Sequence, residues 1–305
     1  MRNDIGKIVA TRLIHEYGLE GLPTRVVEDR GKLQQTLAEL GADKTFVIRA
    51  ASTKEERNLP RAIGLASTDV VAWADHVPLE YALIVQPFAP LIFSVELLIS
   101  NEGMACELVP GMWELDNQFS PTLLRLEQSP SASQFVSLEW HSEPVGAHWH
   151  ARGALVAELC RVDDWARAVL HDWVDLSRIR LQRLREYLGT PYGLKVHYAE
   201  GHGISPQNIR SRLPADTRSV FQPITLLHPP VIVAATTDVI PDGATEVLIR
   251  LGVAREAASA IEEFAQRLMS AGVSVVYLES GMLSHLAIAL REAGLVTRRR
   301  TPGQV

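Results

Sequence analysis

Long apolar runs are missing from this 305-residue chain. No stretch approaches the roughly 18 apolar residues that a membrane-crossing helix needs. The opening Met-Arg-Asn-Asp-Ile-Gly-Lys carries no apolar leader core. Cysteine is scarce. Cys106 and Cys160 are the only two, far apart and in no metal-ligand spacing. That excludes a disulfide framework and fits a reducing, cytoplasmic setting. A positive surplus is also missing: Lys and Arg number 30 against 36 Asp and Glu, a formal charge of −6. The balance argues against a general nucleic-acid binder, so any phosphate contacts must be local. The triplet Arg298-Arg-Arg300 reads as a solvated basic tail. No internal repeat or low-complexity segment is visible.

What remains is a globular composition, 47% apolar and 22% charged, in a chain long enough for two domains. Apolar residues at helical spacing over 5–17 end at Gly18. A second helix over 30–40 closes at Gly41. Strands are expected over 44–49 and 80–87. A hairpin is expected over 93–100 and 104–109, with Asn101-Glu-Gly103 as its turn, and short strands over 123–127 and 135–141. From about Ala151 to Leu188 the pattern is helical, with Leu155, Leu159, Trp165, Val169, Leu170, Trp173, Leu176, Ile179 and Leu184 as its apolar face. Strands over 194–198 and 209–213 follow. Beyond Pro229-Pro230 the order is strand 231–236, helix 255–271, strand 273–278 and helix 284–293, the grammar of an α/β unit. We split the chain near residue 225.

Three stretches carry chemistry. Gly6-Lys7 opens the first helix. Val47-Ile-Arg49-Ala-Ala-Ser-Thr-Lys-Glu55-Glu56 ends a strand in a lone arginine, a group built to grip phosphate or carboxylate with two parallel bonds. Ser280-Gly-Met-Leu-Ser284-His285 opens the last helix, where free N–H groups and the dipole favour an anion. A rival cluster, Trp140-His141-Ser-Glu143 through His148-Trp-His150, has imidazoles suited to zinc. It reads better as an aromatic strand and loop.

Taken in order, Gly6-Lys7, Val47-Ile-Arg49-Ala-Ala, Ile84-Val-Gln86-Pro, Tyr187-Leu-Gly-Thr-Pro191, Ile209-Arg-Ser-Arg212-Leu-Pro and Ser280 to Glu292 resemble the nucleotide-binding and swivelling phosphohistidine domains of pyruvate phosphate dikinase, phosphoenolpyruvate synthase and rifampin phosphotransferase. The resemblance implies an α/β and α+β architecture. An ATP-grasp-like two-lobed domain, residues 1–225, would precede a shortened phosphohistidine-like α/β domain, residues 226–305. It implies ATP as cofactor, with Lys7, Arg49 and Arg212 at the phosphates, Glu55 orienting, and Gln86 at the adenine edge. His285, helped by Ser284, would carry the phosphoryl group to a small-molecule acceptor. The family's Mg²⁺ ligands fall on Lys195 and Arg210 here. Either that metal site is lost or its ligands have moved to Glu200 and Asn208. The family's last strands are not expected after Gly294-Leu295, and a partner chain is one candidate source for them. Neither a nucleic-acid nor a membrane partner is expected. Two other readings stand beside phosphotransfer: a nucleotide-binding or scaffolding subunit without turnover, and an ATP-grasp ligase that forms an acyl-phosphate.

Overall fold

The structure is a computed structural model. It describes residues 5–54, 59–100, 103–111, 122–128, 133–139, 149–151, 154–156, 164–189, 191–210, 229–250 and 260–300, with Val253 and Ala257. The expected boundary near residue 225 and Cys160 lie outside them.

The first lobe begins with α1 (Lys7–Glu16) and β1 (Arg25–Val27). A 3₁₀ turn (Arg30–Lys32) leads into α2 (Leu33–Gly41), then β2 (Thr45–Ala51), β3 (Arg61–Ala66), α3 (Ser67–Ala74) and β4 (Ala82–Pro87). The strands pair antiparallel in the order β1-β4-β2-β3. Side chains alternate across β2 with period two. Phe46, Ile48 and Ala50 are buried with Leu83 and Val85 beneath Leu33, Leu37 and Leu40 of α2 and Val70 and Ala74 of α3. Arg30 ties the layer together, donating to the carbonyls of Ala74 and Tyr81 at 2.9 Å each. Sequence periodicity does not reveal β3 and α3. Arg61-Ala-Ile-Gly-Leu-Ala has no clean alternation, and α3 buries only Val70 and Ala74.

The second lobe is one larger sheet. Its strands are β5 (Leu91–Ser100), β6 (Gly103–Pro110), β7 (Thr122–Gln128), β8 (Ser133–Glu139), β9 (Trp149–Ala151) and β10 (Ala154–Val156). After the 25-residue helix α4 (Asp164–Leu188) come β11 (Tyr192–Ala199) and β12 (Gly203–Arg210). The main path runs β12-β11-β5-β6-β7-β8. One face is apolar: Phe93, Val95, Leu97 and Ile99 join Leu194, Val196 and Ile209. That face packs on α4 through Ala166, Leu170, Val174, Leu181, Leu184 and Leu188, and on Ala10, Leu13 and Ile14 of α1. Here the expected helix needs correction. Trp149–Ala151 and Ala154–Val156 form a small strand pair rather than its start. Trp165, Leu176 and Ile179 are exposed, at 46, 82 and 68%. The true stripe steps by three and four from Ala166, and Leu176 and Ile179 fall off it, while Trp165, though 46% exposed, packs edge-on against Phe93 and Tyr198 of the sheet.

The third unit holds β13 (Val231–Val233), β14 (Glu246–Ile249), α5 (Ile261–Ser270), β15 (Val275–Leu278), α6 (His285–Glu292) and β16 (Val296–Arg299). All four strands are parallel, in chain order. The basic tail expected at the C-terminal end is instead strand β16, and Arg299 is 3% exposed. The unit's core includes Leu98 and Ala105, on the second face of the large sheet. The whole is a mixed α/β and α+β chain, two lobes each built on a sheet and followed by a small parallel α/β unit. Among the described residues no helix is long and apolar enough to cross a membrane.

Candidate functional site

On the first sheet the face opposite α2 and α3 carries Val47, Arg49 and Ala51. Arg49 stands opposite Arg61 on β3 and Ile84 on β4, and Val47 opposite Gln86. Cross-strand partners share a face, so Arg49, Arg61 and Gln86 lie on one side. The start of α1 lies against the same strand end. The Gly6 amide donates to the Thr53 carbonyl at 3.2 Å, and Ile8 packs with Ala51, Ala82 and Ile84. A Cβ on Gly6 would sit 2.4 Å from that carbonyl oxygen. Glycine is therefore required there for the backbones to approach, and the approach sets Lys7 beside Arg49.

The large sheet presents the opposing surface. Asn208 on β12, Lys195 on β11, Glu96 on β5 and Glu107 on β6 are successive cross-strand partners. They form a polar row across four strands, flanked by Ser205, His197 and Ser94. Arg210 reaches into this row. Its guanidinium pairs with Glu96 at 3.1 Å, donates to His285 Nε2 at 3.1 Å, and lies 3.4 Å from the Leu283 carbonyl. A guanidinium has only donors. His285 Nε2 is therefore the acceptor, and the ring's proton sits on Nδ1.

The third unit closes the far end of the row. Glu107 is buried, and its carboxylate accepts from the amides of Met282 and Leu283, the latter at 2.9 Å. Arg291 donates to the Met282 carbonyl at 2.8 Å and to Thr297 at 3.0 Å. Burial pushes the Glu107 carboxyl up, while Arg299, the two amides and Arg291 pull it down. The turn before α6 is thereby fastened to the centre of the second lobe. Ser284 is its N-cap and accepts from the Ala287 amide at 3.2 Å.

Electrostatics single out the space between the lobes. The Lys7 amine is lowered to about 8, first by burial and then by Arg49, Lys195, Arg61 and Arg210. Burial, then Arg61, lowers Arg49 to about 10. His197 is held well below its ordinary value by burial, Lys195 and Arg49, so it is neutral at pH 7. Burial raises Glu96 against the pull of Arg210 and Lys195. Arg49, Lys195, Arg61 and Arg210 thus bear on the Lys7 amine, with the buried Glu96 carboxyl beside Arg210 and Lys195. Such crowding costs folding energy that a bound anion would return. Gln86 Oε1, His197 Nε2 and Asn208 Oδ1 are also buried without a hydrogen-bond partner. Native proteins rarely leave such atoms unsatisfied away from functional sites.

Of the residues singled out from sequence, the structure brings together Lys7, Arg49, Lys195 and Arg210, with Gln86 on Arg49's face and His285 at Arg210. Ser284 serves the helix as a cap. Glu55 and Arg212 lie outside the described residues, as do positions 140–148 of the rival histidine cluster. Glu200 is exposed in the turn after β11, five residues along from Lys195, the partner of Asn208. Glu200 and Asn208 are therefore not brought together. Among the described residues no group of three or more His, Cys, Asp or Glu side chains could hold a metal ion. Mg²⁺ demands near-octahedral oxygen ligands. This row offers Asn208 and Glu96 with an ammonium between them and a guanidinium on the carboxylate, so the residues do not fit a resident Mg²⁺.

Glu96, His197 and Arg61 escape the sequence reading, and Glu107, part of the Glu107-Leu-Val-Pro-Gly111 stretch that shares the family's order, receives no role from it. A signal existed for Glu96: Ser94, Glu96 and Ser100 recur with even spacing inside an otherwise apolar strand, the mark of a second, polar face.

No protein-family model matches this chain, and no curated protein matches it in sequence. Solved structures do. An N5-carboxyaminoimidazole ribonucleotide synthetase in its ADP complex aligns over 71% of this chain and 47% of its own, at 11% identity and a TM-score of 0.42. The Staphylococcus aureus N5-carboxyaminoimidazole synthetase with ADP aligns over 70% and 46%, at 11% identity and 0.39. The ATP-grasp ligase PsnB, complexed with a minimal precursor, aligns over 68% and 52%, at 10% identity and 0.33. The chain spans about half the length of these proteins.

Proposed function

We propose that this chain is an ATP-dependent ligase of the ATP-grasp kind. ATP lies between the lobes and phosphorylates a carboxylate substrate. The observation that carries the reading is the convergence of Arg49, Arg61, Lys195 and Arg210 on the partly buried Lys7 amine. A triphosphate alone would satisfy some of these cations. A triphosphate beside a second anion uses all of them, which favours a carboxylate acceptor over a hydroxyl. In the first step a carboxylate oxygen attacks the γ-phosphorus and ADP leaves, giving an acyl-phosphate. In the second an amine attacks the carbonyl carbon, phosphate leaves and the amine loses a proton. Lys7 and Arg49 hold phosphate oxygens, Lys195 and Arg210 hold charge on the transferring group, and Gln86 offers its amide to the base.

Phosphotransfer through His285 is the second reading, and one contact favours it: Arg210 brings the imidazole to the edge of the same row. The two separate in one assay. The purified chain is incubated with ATP, a panel of amino acids and small carboxylic acids, and hydroxylamine as trapping amine. The ligase reading predicts hydroxamate and ADP in equal amounts, retained by His285→Ala. ADP without hydroxamate, an acid-labile phosphoryl adduct on the chain, and loss of both in His285→Ala would support the second reading instead. Tight nucleotide binding with no turnover under any condition would leave a binding subunit.

A further inference from the structure

We infer that Lys195 and Arg210 take the place of divalent metal at the nucleotide phosphates, so that this cleft binds metal-free ATP at least as well as ATP carrying Mg²⁺. The inference rests on the nucleotide reading above and adds to it what that site requires.

The argument begins with the row itself. Asn208, Lys195 and Glu96 are consecutive cross-strand partners, so their side chains rise from one face at neighbouring positions. Asn208 Oδ1 is buried and unpartnered, the kind of oxygen a metal would take. The next position holds an ammonium, however, and the carboxylate beyond it is in ion-pair contact with Arg210 at 3.1 Å, although outside hydrogen-bond geometry. A dication placed between Asn208 and Glu96 would displace Arg210 from Glu96 and sit against Lys195. Arg210 is not loosely held. It is 14% exposed and also contacts His285 and Leu283, so its guanidinium is fixed by three groups. A guanidinium fixed in this way presents its remaining donors to phosphate oxygens in a rigid plane.

Charge points the same way. Metal-free ATP carries about four negative charges near neutral pH, its last phosphate proton leaving near pH 6. Arg49, Lys195, Arg61 and Arg210, gathered around Lys7, supply positive charge to that polyanion without a metal. A bound Mg²⁺ removes two of the four charges and adds like-charge repulsion with the side chains at hand. His197 is neutral between Lys195 and Arg49 and adds no further charge.

The test is calorimetric titration of ATP into the full chain, once with EDTA and once with excess Mg²⁺. The expected result is binding in EDTA as tight as in Mg²⁺, or tighter. The double variant Lys195→Glu with Arg210→Gln should reverse this, losing binding in EDTA and recovering about tenfold or more when Mg²⁺ is added. Binding of the unmodified chain that weakens by about tenfold or more in EDTA overturns the inference and leaves the nucleotide reading intact. No binding under either condition overturns the nucleotide reading, and this inference with it.

Discussion

A phosphate that docks on Lys7 should draw a proton out of solution. In the unliganded chain the amine is lowered from 10.5 to about 8, by burial and by four neighbouring cations. A bound polyanion offsets those cations and returns the amine toward its ordinary value. At pH 9 the free amine is then about one-tenth protonated and the liganded one almost fully, so binding takes up about 0.9 proton. By the same linkage affinity falls about tenfold between pH 7 and pH 9. The triphosphate has no proton to exchange in that window, its last one leaving near pH 6. The assay is calorimetry at pH 9 in two buffers of different ionisation enthalpy, with Lys7→Met as the control. The variant should bind more weakly at every pH and exchange no proton. Net uptake near zero in the unmodified chain would refute the placement of phosphate at Lys7. Stability carries the same signature with ligand absent. A depressed amine contributes stability that is present above pH 10.5 and lost as pH falls through about 8. Lys7→Met should flatten that slope.

Glu107→Ala leaves the Met282 and Leu283 amides without their acceptor and removes the carboxylate facing Arg291 and Arg299. Breaking such a buried arrangement costs about 3–5 kcal/mol, read as a shift in the urea midpoint. A loss under about 1 kcal/mol would show that the 280–285 turn is held by something else. Gly6→Ala places a methyl 2.4 Å from the Thr53 carbonyl. It should destabilise by about 1–3 kcal/mol and weaken ATP by displacing Lys7, whereas unchanged stability would argue against the close approach.

Much of the site was legible because its chemistry sits at element boundaries. Gly6-Lys7 at a helix start and Arg49 near a strand end both stand out from apolar surroundings, and both face the cleft. The departures at Lys195 and Arg210 were visible only through the family resemblance, whose metal-ligand positions fall on them. Glu96 and Glu107 were not visible as site residues. Each lies inside a mostly apolar strand, where the even spacing of Ser94, Glu96 and Ser100 marks a polar face but not a site, and their alignment with Lys195 depends on a strand register that joins β5 to a segment about one hundred residues later. The same non-local pairing hid β16. Val296-Thr-Arg-Arg looks solvated until the parallel pairing with Val275–Leu278 buries Arg299 near Glu107. The stripe of α4 was misjudged for a local reason: Leu176 and Ile179 are apolar yet lie off the face that meets the sheet.

The account turns on Arg49, a partly buried guanidinium held below its ordinary value first by burial and then by Arg61. Titration of ATP into the unmodified chain and into Arg49→Met, with urea unfolding of both, tests it most directly. The account predicts saturable binding that weakens by about a hundredfold in the variant, about 2.7 kcal/mol, while stability holds or rises as like-charge repulsion is relieved. Equal affinity in the two proteins, or a variant that loses stability and keeps its affinity, would contradict it: Arg49 would then be part of the scaffold, and the cleft would not be where the nucleotide sits.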